Sequence, residues 1–140
     1  MSGKFFLDTN IFVYSFDSGA PKKSQRARQL ILQAIQGGNG IVSYQVVQEF
    51  FNVALRRFAV PMTTADAEQY LSTTFRPLLA VHSSHSLYGE ALRVAAKFKL
   101  SWYDSVIVAS AWEGPCEVLY SEDFQHGQRF GDLQIVNPFL

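Results

Sequence analysis

The chain has 140 residues, 48% hydrophobic and 17% charged, with twelve basic residues balancing twelve acidic ones. That size and composition describe one folded domain and exclude a disordered chain, and no run approaches the ~20 consecutive apolar residues that span a bilayer. Zero net charge also argues against a protein that coats nucleic acid by bulk electrostatics, since that partner calls for a basic excess.

The start, "MSGKFFLDTN", lacks the apolar run and small-residue cleavage site of a secretory leader. The single cysteine, Cys116, has no partner for an internal disulfide, which fits a reducing cytoplasm, and it reads as a small buried hydrophobe. In chain order, "KFFL" (4–7) is a short strand, and it runs into Asp8. A carboxylate between Phe5-Phe6-Leu7 and Ile11-Phe12-Val13 sits where burial makes ionisation costly, so it either caps a helix or has partners elsewhere in the chain. "SQRARQLILQAIQGG" carries Ala27, Leu30, Ile31, Ala34 and Ile35 at helical spacing, with Gly37-Gly38 as the stop. "GIVS" (40–43) is a second buried strand. "YQVVQEFFNVALRRF" (44–58) is a helix whose core face is Val47, Phe50, Phe51, Ala54 and Phe58. After Pro61, "TTADAEQ" opens a helix to about Arg76, and "PLLAV" (77–81) is the third strand.

"SHSLYGEALRVAAKF" (84–98) is again helical, with Tyr88, Ala91, Ala95 and Phe98 in register. "WYDSVIVASAW" (102–112) suits helix or strand by periodicity; its length, its Ala and Ser content and a cap at Ser101 favour a buried helix. "EVLYS" (117–121) and "LQIVN" (133–137) are the last strands. Strands alternating with helices predict a single α/β domain over 1–140, a three-layer α/β/α arrangement with a parallel sheet covered on both faces. In such sheets ligands bind beyond the carboxyl ends of the strands, where the strand order reverses, and Asp8 follows strand one.

Three more acids stand out. Asp104 is the only charged residue from Leu100 to Trp112 and shares a helical face with Ile107, Val108 and Ala111. Glu49 lies on a polar stripe with Gln45, Asn52 and Arg56, and Asp123 follows the apolar "VLY" in "SEDF". Each has an ordinary use: a helix-start acid, a solvated flank, a turn residue. Together they occupy places that a parallel sheet can bring to one edge. Four converging carboxylates would raise one another's pKa unless a cation offsets them, and an all-oxygen set suits Mg2+ or Mn2+. No Cys/His set has zinc spacing.

At these residues the chain resembles a PIN domain, and in particular the VapC-type toxin ribonucleases of type II toxin–antitoxin systems. The likeness runs through "FLDTNIFVY", "VVQEFFNV", "LSWYDSVIVASA", "LYSEDFQHGQ" and the closing "IVNPF". The resemblance implies a central parallel sheet of order 3-2-1-4-5 and a metal-dependent endoribonuclease that hydrolyses RNA phosphodiester bonds. It implies an acidic quartet, Asp8, Glu49, Asp104 and Asp123, holding one or two Mg2+ or Mn2+ ions. Asn10 matches a polar residue supporting that site, and Ser121 matches the residue that orients the last acid. Here the last motif reads Ser121-Glu122-Asp123-Phe124 where many relatives have Thr-x-Asp-x-Asp-Phe, so Glu122 stands as the alternative fourth acid.

With the four acids set aside, eight remain against twelve basic residues, an excess of +4 of the right sign for a polyanion. Arg56, Arg57, Arg93, Lys97 and Lys99 are candidates for contact with the RNA backbone, whereas Lys22, Lys23, Arg26 and Arg28 read as a solvated helix face. Of His82, His85 and His126, only His126 follows the acidic motif closely. The resemblance further implies a VapB-like antitoxin as partner, a homodimer, a cytoplasmic location and no membrane. Two other readings stand beside it: a catalytically idle PIN-like module that binds RNA or protein, and a phosphohydrolase forming an aspartyl-phosphate on Asp8. The second would ordinarily carry another Asp two residues on, where this chain has Asn10.

Overall fold

The computed structural model describes residues 3–140. Its strands are β1 (Phe5–Leu7), β2 (Gly40–Ser43), β3 (Leu79–Val81), β4 (Val118–Tyr120), β5 (Arg129–Phe130) and β6 (Leu133–Val136). Its helices are α1 (Thr9–Tyr14), α2 (Pro21–Gly37), α3 (Tyr44–Ala54), α4 (Thr64–Tyr70), α5 (His85–Phe98) and α6 (Trp102–Glu113), with a π-helical turn, Leu71–Phe75, continuing α4. The sheet order is β3-β2-β1-β4-β6-β5. All neighbours are parallel except β5, which returns antiparallel to β6. The expected order 3-2-1-4-5 is therefore present with "LQIV" as its fifth member; the two-residue β5 is an addition too short to carry a period.

Order reverses at β1, where the chain leaves β3-β2-β1 and resumes with β4 on the other side. That is the switch point at which an open sheet leaves a crevice beyond its carboxyl ends. Beneath it lies an aromatic core in which Phe12, Phe50 and Phe75 are fully buried and Tyr70 stacks on Phe50. These rings tie α1, α3 and the π-helical turn into one face of the sheet.

Helix limits follow local chemistry. Gly38, at φ 70°, closes α2 in the left-handed conformation that glycine adopts without steric cost. Thr63, Ser84 and Ser101 cap α4, α5 and α6, each hydroxyl accepting a hydrogen bond from the amide three residues on. α3 stops at Ala54, four residues before the expected end at Phe58, although Phe58 still packs on the core. On α5 the buried residues are Leu87, Ala91 and Val94, while Tyr88 is 42% exposed, so that helix is rotated from the expected register. α6 is buried from Ser105 to Ala111 all round, which explains why periodicity could not identify it as a helix.

Candidate active site

Asp8 caps α1: its Oδ1 accepts from the Thr9 amide at 2.7 Å. It also has a distant partner. The Ser121 hydroxyl, beyond β4, donates to its Oδ2 at 2.6 Å, and the same Ser121 oxygen accepts from the Asp123 amide at 3.0 Å. Ser121 thus braces the first acid and fixes the backbone of the last. The Asp8 amide donates to the Tyr120 carbonyl at 3.1 Å, carrying the β1–β4 ladder one step into the site.

Asp8 is 4% exposed. Burial pushes its carboxyl up to about 7; the hydrogen bonds from Ser121 and Thr9 oppose that rise, and the negative charges of Asp123 and Glu49 add to it. Asp123 lies at the more exposed rim, and its pKa is raised by desolvation and then by the charge of Asp104, with Glu122 and Glu49 adding to the rise. The charges of Glu49 on α3 and Asp123 after β4 thus bear on Asp8 at the end of β1, and those of Glu49 and of Asp104 on α6 bear on Asp123.

Glu49 is held by both oxygens. Thr9 Oγ1 donates to Oε1 at 2.7 Å and Gln45 Nε2 to Oε2 at 3.3 Å, while Gln45 Nε2 also reaches the Tyr103 carbonyl at 3.2 Å. Thr9 and Gln45 had no assigned role in the sequence reading. Thr9 could have been found from its place in "LDTN"; Gln45 could be noticed as the residue one helical turn before Glu49. Asp104 sits in the first turn of α6, whose N-cap Ser101 fixes its amide.

Both polar atoms of the Asn10 amide are buried and without a hydrogen-bond partner. The amide nonetheless adjoins Asp123 and draws that carboxyl's pKa back down. Glu122 turns elsewhere. Its carboxylate takes the Lys23 ammonium at 2.6 Å and the Tyr14 hydroxyl at 2.7 Å, and these contacts hold its pKa below the usual range.

None of the basic candidates has a hydrogen bond or ion pair to the four acids among the described residues. Arg56 and Arg57 are exposed beyond α3, Arg93 pairs with Glu90 at 2.9 Å, Lys97 lies over the Phe98 ring, and Lys99 ends α5 in a left-handed conformation. His126 is exposed and its Nδ1 accepts from the Asn137 amide.

No three acidic, imidazole or thiol groups among the described residues close into a ready-made metal cage. The donor chemistry nevertheless fits a hard divalent cation. The charges of Glu49 and Asp123 bear on Asp8, Asp8 is buried at a cost its hydrogen bonds only partly offset, and the Asn10 amide is buried with both polar atoms unpartnered. A cation there would relieve each of these.

The comparisons with known proteins agree with this architecture. The sequence matches the PIN domain family model over residues 5–129. No curated protein matches the chain. Among solved structures, a toxin–antitoxin complex from Klebsiella pneumoniae aligns with a TM-score of 0.65 at 18% identity, covering 98% of this chain and 98% of that one. VapC20 of Mycobacterium tuberculosis, a sarcin–ricin loop cleaving toxin, aligns with a TM-score of 0.63 at 21% identity, covering 86% of this chain and 90% of that one. VapBC2 from Rickettsia felis, bound to a fragment of its promoter DNA, aligns with a TM-score of 0.63 at 16% identity, covering 94% and 96%. With its family match spanning most of its length and its acidic cleft at the switch point of a β3-β2-β1-β4 sheet, this chain belongs to the PIN domain family.

Proposed function

We propose that the chain is a metal-dependent endoribonuclease and the toxin of a toxin–antitoxin pair. The observation that carries the reading is a buried carboxyl, Asp8, braced by Ser121 from beyond β4, with the charges of Glu49 and Asp123 bearing on it and that of Asp104 bearing on Asp123. An idle binding module has no use for that repulsion.

Asp8, Asp104 and Asp123 would hold Mg2+ or Mn2+, with Glu49 completing the acidic set. A divalent ion bound there supplies positive charge to the phosphate and lowers the pKa of a water. The chain's own residues do the positioning. Ser121 and the Thr9 amide aim the two oxygens of Asp8, Thr9 Oγ1 and Gln45 fix Glu49, and Asn10 stands beside Asp123. The fourth acid in this reading is Asp123, because Glu122 is committed to Lys23 and Tyr14. An aspartyl-phosphate on Asp8 is disfavoured by Asn10, which stands where such enzymes carry a second aspartate.

RNA is the proposed substrate, with a VapB-like antitoxin and a second copy of the chain as partners. The solved relatives include toxin–antitoxin complexes, and Leu55 and Val60 beyond α3 leave apolar surface in water. No helix among the described residues is long and apolar enough to cross a membrane, and the proposed site of action is the cytoplasm. The test is cleavage of a mixed RNA with Mg2+ or Mn2+. Wild type should cut, and Asp8→Asn and Asp104→Asn should each lose about 100-fold or more. Undiminished cutting by both variants, or none by wild type with either ion, overturns the proposal.

A further inference from the structure

Beside the acidic cleft, on the side of α3 and α6, lies a small cavity of about 80 Å³. Ser43 and Gln45 are in its wall, and the rings of Tyr44, Tyr88, Trp102 and Tyr103 line it. These rings are unusually open to water for their size: Tyr103 is 66% exposed and the other three about as exposed as Tyr88.

Two polar atoms in this wall have no partner. Ser43 is 2% exposed and occupies the N-cap position of α3, where a serine hydroxyl ordinarily accepts from the helix's first amides; here it makes no such bond and its Oγ is buried and free. Gln45 Oε1 is likewise buried and free. The other end of the same amide is fixed by Glu49 and the Tyr103 carbonyl, so Oε1 is held in place as an acceptor. Buried polar atoms left unsatisfied are costly and rare, and two in one wall point to a ligand that supplies their hydrogen bonds.

The cavity wall contains no Lys, Arg, Asp or Glu; its one titratable ring besides the tyrosines, His82, packs edge-on against Tyr44. Nothing in it offers the paired cationic donors by which side chains grip a phosphate. A neutral planar group fits: its polar edge meets Ser43 Oγ and Gln45 Oε1, and its faces meet aromatic rings. Those are the two contacts by which proteins hold unstacked bases of single-stranded RNA. The volume suits the edge of a heterocycle and is too small for a run of peptide side chains. Gln45 connects the cavity directly to Glu49, so a group bound there would lie beside the proposed acidic site.

We infer that this cavity is a base-recognition subsite, which takes one unstacked nucleobase of single-stranded RNA flanking the bond to be cut. Gln45 Oε1, as an acceptor, selects a base edge that offers a donor. This inference rests on the ribonuclease reading for its biological meaning, but its physical claim is separate.

The test uses the full chain in EDTA, so that no RNA is cut. Intrinsic tryptophan fluorescence is followed during titration with short single-stranded RNA oligomers, with an abasic oligomer of the same length, and with an RNA duplex. Trp102→Phe isolates the signal of Trp102 from that of Trp112, which lies elsewhere with its indole N–H bonded to the Phe130 carbonyl. The expected result is a saturable quench by base-bearing single strands, at least tenfold tighter than with the abasic or duplex RNA and absent in Trp102→Phe. Tyr88→Ala should weaken it about tenfold, and Ser43→Ala should narrow the difference between bases. Equal quenching by the abasic oligomer, or none by any RNA, overturns the inference. So does RNA cleavage that Tyr88→Ala and Trp102→Ala leave unchanged while they release a bound protein partner, since the cavity would then belong to that protein. A quench without metal-dependent cleavage would leave the subsite standing and remove the nuclease reading; cleavage without a quench would do the reverse.

Discussion

Asp8 keeps a proton at pH values where an exposed aspartate has lost it, because its burial outweighs the hydrogen bonds from Ser121 and Thr9. The sign of the stability effect follows. Between about pH 4 and about pH 7 the unfolded chain has ionised Asp8 while the native protein still holds the proton, so stability falls as pH rises and levels off above about 7. The metal-free protein should therefore lose a few kcal/mol from this one group across that window. Asp8→Asn should remove that part of the slope and be the more stable protein at pH 8, as read by thermal melts in EDTA at pH 5 and pH 8. At the last motif, Asp123→Asn should abolish RNA cleavage and Glu122→Gln should leave most of it, measured as initial rates with Mn2+. The reverse outcome would return the fourth position to Glu122. Sequence alone could nominate both acids but not separate them, because the Tyr14 and Lys23 contacts that occupy Glu122 come from 108 and 99 residues away.

Among the elements, those with a strong period or a clear stop were legible in the chain. α2 ends at its glycines, and α6 begins at its Ser101 cap as its composition suggested. The misses have local causes. α1 has only six residues, too few for a period, and its capping residue is also the buried acid, so the cap and the candidate ligand could not be told apart. α5 was misaligned because Tyr88 is as apolar in pattern as Leu87, yet the cavity beside α6 leaves that ring at the surface. The helix expected to reach Arg76 instead widens into the π-helical turn at Leu71–Phe75, which brings Phe75 onto Phe12 and Phe50. A tight contact between elements provides a prediction at this scale. A methyl group on Gly40 of β2 would collide with the Ala34 Cβ of α2 and lie 2.8 Å from its Cα and 2.9 Å from Phe5 Cε2. Backbone cannot yield as a side chain does, so Gly40→Ala should cost about 1–3 kcal/mol by denaturant unfolding.

For the molecule as a whole, the acids are arranged by sheet order before any side chain is considered. Parallel pairing of β1 with both β2 and β4 puts the residues after three strands at one end of the sheet, and α6 brings Asp104 to the same cleft. The parallel sheet followed from alternating strands and helices, and its order from the resemblance to PIN domains. The hydrogen bonds that orient the acids, from Thr9, Gln45 and Ser121, depend on contacts between distant segments, which no local pattern encodes. The ladder that continues past β1 and β4, through the Asp8 amide on the Tyr120 carbonyl and the Ser121 amide on the Val136 carbonyl, has a consequence for heat. Because Asp8 and Ser121 are stitched into the middle of the sheet, that part of the site opens only when the sheet itself does. Thermal inactivation should track the global melt, with residual activity and circular dichroism falling at the same temperature.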